Sequence, residues 1–167
     1  GEPGPDLWVE RSTVRGRLAV RSLYFSESIA TGLVEVERTQ SGCVRFSYTS
    51  PGSRTPRRYR CQPDLAVAKA VEAALERDPL LSDPDEQALN AAVQRRVTPG
   101  FSTAAYGRPA YMQLRLSAPD EIKTGAKDGS EMGVYSHVKQ PQREANLRLR
   151  LGEYLPFGLE AGIIYAT

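Results

Sequence analysis

The strongest constraint on the fold is a self-match at an offset of sixteen residues. Sliding residues 7–38 along themselves aligns Ser12 with Ser28, Gly16 with Gly32, Leu18 with Val34 and Val20 with Val36. Each copy reads as a small polar turn, a glycine and an alternating strand, RLAVR and then LVEVE. A period of two places Leu18 and Val20, then Val34 and Val36, on one face. Coils that each carry one apolar face at fixed spacing bury it by stacking, which is the logic of a β-solenoid. With two copies, an antiparallel meander fits nearly as well. In the solenoid, Gly16 and Gly32 turn equivalent corners and residues 22–29 (SLYFSESI) supply a second strand. Leu18, Val20, Val34, Val36 and Cys43 then form one buried ladder.

The next stretch, residues 42–61 (GCVRFSYTSPGSRTPRRYRC), holds both cysteines and the densest positive charge. CVRFSY continues the alternation, with Cys43 rather than Arg45 on the buried face. TSPGSRTP is a loop, and RRYRC places Tyr59 and Cys61 on one face and Arg58 and Arg60 on the other. Residues 40–61 carry five arginines and no acid, whereas residues 62–94 carry seven acids against Lys69 and Arg77. Blocks of opposite sign can neutralise each other inside a fold or serve an external anion. An internal role predicts forked pairs for at least two of Arg54, Arg57, Arg58 and Arg60. Two cysteines in 167 residues are no disulfide scaffold and read as buried thiols.

Beyond Gln62 the period changes to helical. Pro63 and Asp64 signal a start, Leu65, Ala68, Val71, Ala74 and Leu75 share a stripe, and Asp78-Pro79 ends it. A second helix is signalled by Asp83 as cap, Pro84 and Glu86, with Leu89, Ala92 and Val93 facing in. YMQLRLS returns to alternation, turning Met112, Leu114 and Leu116 inward. Residues 117–133 read as a glycine-rich acidic loop. Pro141 opens a last helix whose Leu147, Leu151 and Leu155 share a face, and a short strand over residues 163–165 closes the chain.

The fold class is thus mainly β with helical additions: the end of a right-handed parallel β-helix with a helical hairpin insert and a C-terminal helix-strand cap. The expected divisions are a linker at 1–6, coils at 7–61, the hairpin at 62–99 and a β/α capping region at 100–167. No apolar run is long enough to cross a bilayer, and no secretory leader is visible. The start at Gly1 and the GEPGPD composition read as a piece of a longer polypeptide.

No metal motif, nucleophile elbow or phosphate loop is present, so no cofactor and no metal ligands are assigned. Asp120, Asp128 and Glu131 are the candidates for acid-base work, since carboxylates between glycines can share protons or bind calcium. The bland reading is a turn in which Asp128 bonds its own backbone. His137 is the sole histidine, and nothing local brings Cys43 to it. Arg54, Arg57, Arg58, Tyr59 and Arg60 are the candidate binding residues, because arginine forks and a tyrosine face suit phosphate, sulfated sugar or carboxylate. A nucleic-acid role is disfavoured at a net charge of +2.

The segments RSTVRGRLAV, SESIATGLVEVERTQSGCVRFSY, PGSRTPRRYRCQPDL, DGSEMG and PQREANLRLRLGEYLPFGLEAGI resemble the C-terminal region of large bacterial proteins that join right-handed β-helix coils to a trailing cap. The resemblance covers most of the chain outside residues 70–95. Such proteins are associated with gene clusters of phage-tail-like contractile injection particles. The resemblance implies a baseplate, spike or fibre-like structural part whose partners are upstream coils of the same polypeptide and other particle proteins; the compartment is left open, with cytoplasmic assembly and release in a particle as one route. It supplies no catalytic residues. The leading expectation is a non-enzymatic structural or interaction module. The alternatives are a carbohydrate-active β-helix enzyme, a lyase or hydrolase, or a module that binds anionic polymer.

Overall fold

The computed structural model describes residues 4–163. Strands β1 (Gly4–Glu10), β2 (Thr13–Val14), β3 (Leu18–Ser26), β4 (Ile29–Ala30), β5 (Val34–Val36), β6 (Gly42–Arg45), β7 (Tyr48–Thr49) and β8 (Arg58–Tyr59) wind into a parallel β-solenoid. One sheet runs β1-β3-β6-β8, with β5 also paired to β3, and a second runs β2-β4-β7. Leu18 pairs with Val34 and Val20 with Val36 in parallel register, which excludes the meander.

The inner column Val9, Phe25, Val44 gives the coil spacing, and Arg58 follows Val44 in it. Successive coils advance by 16, 19 and then 14 residues along this column. The interior holds Val20, Leu23, Phe25, Ala30, Val34, Val36, Val44 and Cys61. Gly32 is required at its corner because a Cβ there would overlap the Gly16 carbonyl oxygen of the coil before.

A second corner is shared by all four coils. Arg11, Glu27, Phe46 and Arg60 take left-handed backbone conformations, with φ of 46°, 50°, 48° and 50°. Each precedes a small polar residue, Ser12, Ser28, Ser47 and Cys61 in turn. Ser28 Oγ donates to the Ser26 carbonyl at 2.7 Å and accepts from the Ser12 amide at 3.0 Å. Ser47 Oγ does the same with Arg45 at 2.7 Å and the Ser28 amide at 3.1 Å. The thiol of Cys61 donates toward the Tyr59 carbonyl at 3.4 Å, so it continues the ladder with sulfur. This column satisfies backbone groups that the bend would otherwise leave unpaired in a dry interior.

The helical part comprises α1 (Asp64–Arg77), α2 (Asp83–Arg96), the short α3 (Asp120–Lys123) and α4 (Gln140–Tyr154). Ala66 of α1, Val93 of α2, Val97, Leu114, Ala118, Ile122 and Met132 form a second core with Ile29 and Tyr48. Ile29 and Ala30 are neighbours on β4 and therefore point to opposite faces. Ala30 belongs to the solenoid interior, so the helices pack on the outer flank of the β2-β4-β7 sheet. Gly133 seals that junction: its φ is +95°, its amide donates to the Glu27 carbonyl at 2.8 Å, and a Cβ would lie 2.6 Å from Thr13 Oγ1.

Several expectations are corrected. Gly4–Asp6 belong to β1 rather than a linker, because Asp6 accepts a 2.7 Å hydrogen bond from Ser22 of the next coil. Val44 takes the inner position expected for Cys43, since the turn at residues 37–41 lengthens its coil and shifts the phase. Tyr59 is 60% exposed and Arg58 faces inward, because the left-handed bend at Arg60 interrupts the alternation. Ser82, not Asp83, caps α2, accepting from the Asp85 amide. Residues 111–116 make only isolated bridges, and Leu116 is 51% exposed. The acidic stretch contains α3 rather than loop alone. The strand expected over residues 163–165 falls mostly outside the described residues, and Ile163 is irregular.

Candidate functional site

The arginine tract divides. Arg58 sends its guanidinium across the last coil, donating to Thr55 Oγ1 at 2.7 Å, the Ser53 carbonyl at 2.7 Å and Asp64 at 2.9 Å. Arg54, Arg57 and Arg60 are exposed and have no side-chain partner among the described residues. One of the four is therefore used internally, fewer than the two an internal role predicts.

These arginines adjoin the outer face of the long sheet. Along it the register aligns Trp8, Tyr24 and Cys43, and Glu10, Ser26, Arg45 and Tyr59 beside them. Trp8 and Tyr24 stack with centroids 4.5 Å apart and an interplanar angle of 13°, while Trp8 stays 71% exposed. Tyr59 meets Phe46 edge-on at 5.6 Å. Cys43 is half-buried and Cys61 buried, both as free thiols, and burial pushes the Cys61 thiol up. Arg11 spans two coils to bond buried Glu27 at 2.6 Å, and the carboxylate holds its guanidinium above the ordinary arginine value.

The three acidic candidates fall in different surroundings. Asp128 accepts from the hydroxyl of Ser130 at 2.6 Å and its amide at 3.0 Å, which together with Lys139 hold its carboxyl low. That is the backbone-bonding turn. Asp120 pairs with Lys123 at 2.8 Å, and this contact also lowers its carboxyl. Glu131 differs: it is 5% exposed, has no hydrogen-bonded or charged partner among the described residues, and burial raises its carboxyl to about 7. Among the described residues no arginine pairs with it.

Glu131 and Asp120 line one cavity of about 1110 Å³ between residues 102–124 and α4, and Asp128 lies outside it. His137 bonds the Val134 carbonyl at 3.0 Å at the surface, with no cysteine partner. Among the described residues no three metal-binding side chains converge. No described helix is long and apolar enough to cross a membrane. Comparison with family models, curated proteins and solved structures gives no match.

The serine corner and the Trp8–Tyr24 stack were not singled out from sequence. The match of Ser12 to Ser28 was a visible trace of the corner. Trp8 and Tyr24 lie sixteen apart, the same offset, and could have been found by extending the alignment to aromatic positions.

Proposed function

We propose that the chain is a non-enzymatic structural or interaction module, the terminal segment of a right-handed parallel β-helix in a larger bacterial protein. Right-handed winding is the form that parallel crossovers favour. The observation that carries this reading is the difference between the two ends of the coil stack. At the last coil, Arg58 follows Val44 in the inner column and bonds the Ser53 carbonyl, and α1 begins at Asp64 directly after Pro63. At the first, Leu7, Val9 and Val14 are only half-buried, and β1 has one unpaired edge among the described residues. An unpaired edge over an apolar column recruits further strands. The occupant that fits is a preceding coil of the same polypeptide. The helical pair and C-terminal helix then act as cap and flank, and the resemblance to phage-tail-like particle proteins supports a place in such an assembly.

Hydrogen exchange tests this. In the full-length protein the β1 amides are expected to be protected, and the melting temperature to rise by about 2–4 °C for each kcal/mol gained. Exchange at Leu7 and Val9 as fast as in the chain alone would overturn it.

Three free arginines beside exposed Tyr59 favour a second reading, an anionic-polymer face. Its check is salt-sensitive retention on a polyanion column that Arg57→Ala with Arg60→Ala abolishes. Retention unchanged by both substitutions removes it.

A further inference from the structure

Glu131 is a buried carboxylate with no hydrogen-bonded or ionic partner among the described residues. It is 5% exposed, in a strand-free segment whose neighbour Met132 belongs to the second core. An ionised carboxylate withdrawn from water without a partner costs several kcal/mol, so proteins pair such groups or use them. The three cations that line the same cavity are each held away from Glu131. Lys123 holds Asp120 at 2.8 Å and the Leu116 carbonyl, and Arg148 holds Glu144 at 2.7 Å. Arg115 is exposed, with its guanidinium lying against Gly100. The unmet need in the cavity is therefore a donor or cation at Glu131. Pro109, Ala110, Leu114, Pro141 and Ala145 form an apolar stretch of a wall that is otherwise largely polar and charged.

We propose that this cavity binds a small cationic amine, whose ammonium group pairs with Glu131 and whose apolar stem lies along Ala110, Leu114 and Pro141. A cavity that joins an apolar stretch to a buried carboxylate offers a small amphipathic ligand both a stem contact and an anchor. The ammonium supplies both the hydrogen-bond donors and the charge that the carboxylate lacks, and the burial of Glu131 strengthens the pair. The site is separate from the coil stack, so it stands whether or not preceding coils exist.

The test uses n-pentylamine and pentan-1-ol, matched in stem and differing in charge, titrated by calorimetry and by chemical-shift change at Glu131 and Ala110. At pH 8 the amine is expected to bind at least tenfold tighter than the alcohol. Lowering the pH to 5 should erase the preference as Glu131 takes up a proton. Glu131→Gln keeps the shape and should abolish the preference, while Asp128→Asn, outside the cavity, should retain it. A melt of each variant checks folding. Equal affinity for amine and alcohol, no binding of either, or a preference that survives Glu131→Gln would each overturn the proposal.

Discussion

Arg58 stands one coil beyond Val44 in the same inward-facing column, so a stack of valine and phenylalanine ends in a guanidinium. The placement is stable because the group finds acceptors at the Ser53 carbonyl, Thr55 Oγ1 and Asp64.

Arg58→Ala is accordingly expected to lower stability by about 2–3 kcal/mol, since it uncovers the column and strands its acceptors. Arg57→Ala, at an exposed position next to it, should change stability by under about 0.5 kcal/mol. Chemical denaturation of the two variants side by side decides this. Equal losses would mean that Arg58 does not close the column.

Ser47→Ala removes the hydroxyl that bonds both the Arg45 carbonyl and the Ser28 amide in a buried setting. A cost of about 1–3 kcal/mol follows. Ser12→Ala, at the half-exposed start of the ladder, should cost less. Thermal melts of both variants give the ordering, and the reverse order would argue against a cooperative ladder.

Glu131 makes stability depend on pH in a defined direction. Its folded carboxyl titrates at about 7, above the ordinary value of 4.5, so the folded state holds the proton more tightly. The penalty is absent below about 4.5, grows as pH rises, and is complete above 7. It amounts to roughly 3 kcal/mol. Glu131→Gln should therefore stabilise the protein at pH 8 and do little at pH 4.5. Denaturation midpoints at the two pH values check it, and a variant no more stable at pH 8 would contradict the burial argument.

Gly133→Ala combines a left-handed backbone with a Cβ pressed onto Thr13 and Ile29. The second core should loosen from the flank while the coils persist. Hydrogen exchange is expected to rise in α3 and its neighbours and to stay slow at Phe25 and Val44. Uniform acceleration would indicate a single cooperative unit.

The first two coils were legible because they share one offset, so Leu18 with Val34 and Val20 with Val36 appear as simple matches. The third and fourth were hidden by the change of offset to 19 and 14. An error of one residue inverts every inward and outward assignment in a strand, which is how Cys43 and Tyr59 were misplaced. The second corner left only the Ser12–Ser28 match as its trace, for a different reason. Arginine, glutamate, phenylalanine and arginine share a backbone conformation and no side-chain property. Both main helices were readable from local period and proline placement. The cavity was not, because it assembles residues from 102 to 148 whose approach depends on the second core. Glu131 was a visible candidate, whereas its isolation from Arg58 is a tertiary fact.

The corner at Arg11, Glu27, Phe46 and Arg60 keeps one shape while the intervening contour lengths differ. Surplus residues are expelled at the turn between Val36 and Gly42. That turn behaves as a slack loop on a fixed spool: lengthening it costs only about 0.6 kcal/mol per doubling when the corners stay locked. Foreign peptides spliced between Thr39 and Gln40 should therefore ride on the outside of the third coil without unwinding it, giving the module a natural display position.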